Sequence, residues 1–172
     1  MSGPCANRTT IPIGTILMGY QSHKMRILFC RSNTFASWLI RKLTWSDWSH
    51  CVILEPDGVH TIEARWPEVR VATLTDVLLE HEVVEVVAMP IANPQAAVSW
   101  AWNQVGKPYD WMALFGFIFR PKGDWTDPGK WFCSELVAMA WAHGGSPLVK
   151  ADLVSRVTPG MLWMLPGGSN GD

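Results

Sequence analysis

The feature that most restricts the fold is a pair of strand-like runs, Ser49-His50-Cys51-Val52-Ile53-Leu54 and Val59-His60-Thr61-Ile62-Glu63-Ala64, separated by Pro56-Asp57-Gly58. Runs of this length on either side of a turn sequence form a β-hairpin. With Asp57 and Gly58 as the loop, Val52 faces Glu63 and His50 faces Arg65. Side chains alternate along a strand, so His50 and Val52 share a face. His50 and Glu63 then become diagonal neighbours with a Cβ separation of roughly 5 to 8 Å, close enough for a carboxylate to reach an imidazole. A four-residue loop keeps this parity, and a three-residue loop breaks it.

Around the hairpin the chain reads as strands first and helices after. Met25 to Cys30, Val69 to Leu74 and Val83 to Met89 are strand-like, with a helical turn around Thr75 to Leu79. Asn33 or Thr34 caps a helix through about Lys42, with Phe35, Trp38 and Leu39 as its apolar stripe. Asn93-Pro94 opens a helix through about Val105 that Gly106 ends. The apolar block after Asp110 is expected to be helical, Arg120 to Lys130 a surface loop, and Phe132 to Trp141 a helix stopped by Gly144-Gly145. This is an α+β chain, an antiparallel sheet packed against helices. Its expected organisation is an N-terminal extension (1–24), one domain (25–166) and a flexible tail (167–172).

Composition narrows the function. A net charge of −1 with no Lys/Arg run lacks the basic footprint of a nucleic-acid binder. The longest apolar stretch, Trp111 to Phe119, is far shorter than the roughly 20 residues of a spanning helix. With no ordinary secretory signal, synthesis in the cytoplasm is expected. Cys5, Cys30, Cys51 and Cys133 show neither C-x-x-C spacing nor clustering with histidines, so neither a metal nor another cofactor is expected, and the cysteines read as free thiols.

Cys133 stands out among them. At the first turn of a helix it sits in the positive end of the helix dipole, which favours the thiolate, and its own N–H points where an oxyanion would form. His143 lies on the same helix about 15 Å away by helical rise and cannot serve it. His23 falls in the unpatterned extension, His60 faces away from Glu63, and His81, in Glu80-His81-Glu82, reads as solvated. Only His50 has a positioned carboxylate, the arrangement that fixes a tautomer and stabilises an imidazolium. Each element also has a plainer reading: a cross-strand polar pair at a sheet edge, and a small buried hydrophobe on an apolar helix.

Gly106-Lys107-Pro108-Tyr109-Asp110 and Trp131-Phe132-Cys133-Ser134-Glu135-Leu136-Val137 resemble the G-x-P-Y and C-S-x-L-V motifs of the NlpC/P60 papain-like cysteine hydrolases. In ordinary members the histidine follows the cysteine. Here the histidine and glutamate strands come first, which resembles the circularly permuted branch, and Ser155 to Leu162 resembles the tail of bacterial and prophage-encoded members. The resemblance implies a permuted papain-like fold, Cys133 as nucleophile, His50 as base, Glu63 as orienting acid and Tyr109 near the oxyanion or substrate. Trp131-Phe132 departs from the aspartate that many ordinary members carry before the cysteine.

The expected activity is thiol-dependent hydrolysis through an acyl-enzyme, acting on a peptide-type amide such as a peptidoglycan stem, with action at the cell envelope. A lipid acyl ester or amide is the alternative, since Trp102, Trp111, Trp125, Trp131 and Leu114 to Phe119 would suit an acyl chain or peripheral contact with a membrane. The same residues serve equally as core. A catalytically silent binding or phage accessory module is the competing class.

Overall fold

A computed structural model describes residues 23–110 and 129–165. Five strands, β1 (Lys24–Arg31), β2 (His50–Leu54), β3 (His60–Arg65), β4 (Glu68–Thr73) and β5 (Val83–Pro90), form one sheet in the order β4-β3-β2-β1-β5. All neighbours run antiparallel. The helices are α1 (Phe35–Thr44), α2 (Leu74–Glu80), α3 (Pro94–Trp102), α4 (Cys133–His143) and α5 (Pro159–Trp163), with a 3-10 turn at Ala151–Arg156. The α+β expectation therefore holds.

The hairpin register is the predicted one. Ile53 pairs with Ile62 and Leu54 with Thr61, and Glu55 N–H donates to the His60 carbonyl, which leaves a four-residue loop from Pro56 to Val59. Asp57 organises that loop by accepting from the Val59 and His60 amides. The next register matters as much. In the β3–β4 pair Glu63 lies directly opposite Arg70.

The sheet buries both faces. Ile27, Phe29, Ile53, Ile62 and Val87 meet helices α3 and α4 on one side, where Leu136, Val137 and Trp141 are almost wholly buried. Leu28, Val52 and Leu54 meet Leu74 and Val77 of α2 on the other. Each large apolar side chain removed from water contributes about 1.5–3 kcal/mol before entropy is counted.

Helix α1 corrects one expectation. Phe35 and Trp38, the predicted apolar stripe, are 75% and 47% exposed, and the inward positions belong to Ser37 and Ile40. The reason is polar: the Ser37 hydroxyl pairs with that of Ser49 at 2.7 Å, and the Thr34 cap accepts from the Ser37 amide. Trp131, offered as a surface tryptophan, is 8% exposed and packs edge-on against Trp100. Helix α3 ends at Trp102, earlier than the sequence suggests, and turns lead to Gly106 at φ 84°, where a side chain would be strained. The first 22 residues, the apolar block and loop at 111–128, and the tail beyond 165 lie outside the described residues, so Cys5, Trp111, Trp125 and the extension and tail boundaries gain no structural account.

Helix α4 is pinned at its start. The buried Ser134 hydroxyl donates to the Val157 carbonyl at 2.6 Å, tying the turn that carries Cys133 to the segment before α5. Ser134→Ala leaves that carbonyl buried without its partner and is expected to cost about 1–3 kcal/mol, measured by denaturant unfolding. A loss indistinguishable from zero would show that this bond does not position the helix.

Candidate active site

His50 opens β2 and Cys133 opens α4, and α4 packs directly against β2 and β3. This brings the two side chains close enough to shift each other's protonation although 83 residues separate them in sequence. The His50 Nε2 atom is 2.6 Å from Glu63 Oε2, so Nδ1 is the ring nitrogen left to face the Cys133 thiol. Glu63 is fully buried, and its second oxygen, Oε1, accepts from Arg70 Nε at 2.8 Å. A buried carboxylate is tolerated only when paired in this way. Arg70 and Arg65 both reach Glu80 in turn, which closes a chain of alternating charges across β3, β4 and α2.

The charges follow from these contacts. Burial would keep Glu63 protonated, yet the hydrogen bond and charge of His50, with those of Arg70, hold its carboxyl down at about 2. Burial likewise disfavours a charged His50, but Cys133 and Glu63 on its two sides raise it to about 9. Burial raises the Cys133 thiol, and hydrogen bonds from the Cys51 side chain and from His50, His50's positive charge and the Cys51 backbone together bring it well below the ordinary range. The resting pair at neutral pH is therefore thiolate and imidazolium. Burial pushes Cys51 and Cys30 the other way, well above the ordinary value.

The α4 N-cap, Phe132, makes no side-chain cap hydrogen bond. The first turn of α4, which carries the thiol, is thus not capped by the Phe132 side chain. Tyr109 is half-buried, lies against Phe132 with ring centroids 5.8 Å apart, and lines a cavity of about 220 Å³ together with His50, Ser37, Arg65, Trp66 and His81. Burial, with the negative charge of Cys133 nearby, drives its phenol well above the ordinary range, so it stays a neutral donor. Of the four residues singled out by sequence, His50 and Tyr109 line this cavity, while Cys133 and Glu63 are buried and are not among its lining residues.

The other histidines are distributed as follows. His60 is exposed at the hairpin turn with Asp57, and His143 stacks on Trp100 at the far end of α4. His81 corrects an expectation: it is not a solvated connector residue. Its ring stacks on His50 with centroids 5.6 Å apart, its Nδ1 is 2.7 Å from Ser32 Oγ, and its Nε2 is buried with no hydrogen-bond partner among the described residues. Burial, with the positive charges of His50 and Arg65, lowers its pKa to about 4, so the ring is neutral. Three groups of this site were not found from sequence. Arg70 needed the β3–β4 register, and Cys51 read only as one of four free thiols. His81 needed the fold that lays the end of α2 beside β2.

No protein-family model matches the chain, and no curated protein matches it. Among solved structures, that of the metalloprotein yiiX from Escherichia coli O157:H7, described as DUF1105, aligns with a TM-score of 0.64 and 19% identity, over 86% of this chain and 95% of that one. The likeness is one of fold. It corrects the sequence resemblance to the NlpC/P60 cysteine hydrolases: the neighbour is a DUF1105 metalloprotein, and no family model supports that membership. The motifs behind the resemblance are short and local. Gly106-Lys107-Pro108-Tyr109 is a turn around a positive-φ glycine, and Cys133-Ser134-Glu135-Leu136-Val137 is the start of a buried helix, both geometries that recur in unrelated chains.

The charge state has a direct readout. A thiol with the ordinary pKa of about 8.5 alkylates about tenfold faster per pH unit below that value. Cys133 is expected to react with iodoacetamide at a nearly constant rate between pH 6 and 8, while Cys30 and Cys51 stay slow, read by peptide mass spectrometry. A Cys133 rate that climbs like that of a free thiol contradicts the ion pair.

Proposed function

We propose that the chain is a cysteine-dependent acyl hydrolase with Cys133 as nucleophile, His50 as acid and base, and Glu63 as the group that orients His50. The observation that carries this reading is the placement of a buried thiol at a helix start, beside a histidine whose Nε2 a buried carboxylate holds at 2.6 Å. A core thiol needs no such partner. The arrangement satisfies the requirements of nucleophile, base and orienting group together.

The chemistry follows from the atoms present. The thiolate sulfur attacks a carbonyl carbon, forming a C–S bond while the carbonyl oxygen takes up the electron pair beside the first-turn amides of α4. His50 gives its Nδ1 proton to the departing amine or alcohol as the C–N or C–O bond breaks, leaving a thioester. His50 then takes a proton from water, hydroxide adds to the thioester, and the carboxylic acid leaves as the Cys133 thiolate is expelled. Glu63 stays ionised throughout, and Arg70 holds it there.

The first substrate class is a peptide-type amide, such as a peptidoglycan stem. A second, a lipid acyl ester or amide, is favoured by one observation. Phe35 and Trp38, stacked with centroids 5.7 Å apart, stand exposed on the helix whose residues Thr34, Ala36 and Ser37 line the His50 cavity. Large exposed apolar side chains on that helix suit contact with an apolar acyl surface. Muropeptides and phospholipids incubated in parallel distinguish the two. Turnover of either should vanish in Cys133→Ala and fall about 10²- to 10⁴-fold in His50→Ala, with a thioester adduct detectable by intact mass. Turnover that survives Cys133→Ala refutes the mechanism, and no adduct or turnover with a sluggish thiol favours the silent binding module.

A further inference from the structure

The His81 imidazole has no part in the hydrolase reading, yet it is built like a ligand. Ser32 Oγ fixes its Nδ1 at 2.7 Å, and the opposite nitrogen, Nε2, is buried and unpartnered among the described residues. When Nδ1 donates to Ser32, Nε2 is left as a bare lone pair. Burying such an atom without a partner costs free energy that a bound ligand would recover. Around it stand His50 and Glu63, and one ligand atom from each of the three residues lies within 4.8 Å of the others.

We propose that His81, His50 and Glu63 form a binding site for one divalent transition-metal ion of the zinc type, and that occupancy of this site excludes the thiol chemistry. Two imidazole nitrogens and one carboxylate oxygen are the donor set that zinc and its neighbours take, and that magnesium and calcium do not prefer. The supporting shell is present as well. Ser32 orients His81, and Arg70 holds Glu63 by Oε1, which leaves Oε2 as the coordinating oxygen. The nearby arginines do not forbid a cation, because Glu80 pairs with both Arg65 and Arg70. The cavity reaches His50 and His81 and gives the ion a route in.

The two uses of the site are exclusive because they share an atom. His50 Nε2 now bonds to Glu63, and on the metal it would leave that partner. A ring bound through Nε2 carries its proton on Nδ1, so it can no longer accept one from the Cys133 thiol. The metal site thus goes beyond the proposed hydrolase and does not need Cys133.

Chelator-treated full-length protein titrated with Zn²⁺ by calorimetry, and with Co²⁺ by visible absorption, tests this. One ion per chain is expected, with no thiolate-to-cobalt charge-transfer band. His81→Gln should weaken Zn²⁺ binding by tenfold or more and Ser32→Ala by about tenfold. Cys133→Ala should bind at least as tightly as the wild type does. Unchanged affinity in His81→Gln overturns the proposal, as does absence of Zn²⁺ binding to the wild type. Loss in Cys133→Ala also overturns it, since the ion would then sit on the thiolate. A thermal melt of each variant separates lost ligands from lost folding, and Ser32→Ala leaves every ligand in place should His81→Gln not fold. Cys133 alkylation, followed separately without metal, reports on the hydrolase reading whatever the metal result.

Discussion

The Glu63 carboxylate is a full charge placed inside the sheet with no exposure to water, and the structure around it is what makes that tolerable. His50 takes one oxygen and Arg70 the other. Removing either partner would leave a buried charge half-satisfied, a loss of several kcal/mol. The register of both hairpins is tied to the same requirement, because slipping either strand by one residue turns His50 or Arg70 to the opposite face. A pair that looks like electrostatic detail therefore also specifies the sheet.

From that constraint the character of the thiol follows. Cys133 and Glu63 together keep His50 charged, and Cys51 and His50 keep Cys133 ionised in a place where burial alone would have protonated it. Cys51 adds a side-chain and a backbone hydrogen bond to the same sulfur. In the proposed hydrolase the sheet supplies the histidine and its acid, and the helix supplies the thiol. That reading needs both layers held together, and Ser134 ties the helix start to the Val157 carbonyl.

How much of this the sequence carried depends on the range of each interaction. The β2–β3 hairpin was legible because its turn and alternation are local, and with it the His50–Glu63 pair. The placement of Cys133 at a helix start was legible for the same reason. Arg70 became visible only once Glu63 was paired across a second turn, and His81 only once α2 ended beside β2. The inward face of α1 was misread because a buried serine pair, Ser37 with Ser49, outweighed the aromatic pattern. Family membership was misread because two short motifs describe local backbone shapes, whereas the fold as a whole aligns with a DUF1105 metalloprotein.

His50 is held as an imidazolium between Glu63 and the Cys133 thiolate. Nitrogen NMR of the histidine ring reports that state directly. With ¹⁵N-labelled histidine, the account predicts that both His50 nitrogens remain protonated through neutral pH and titrate only near pH 9, with the transition moving down toward 6.5 in Cys133→Ala. A His50 ring that titrates near 6.5 in the wild-type protein would contradict it.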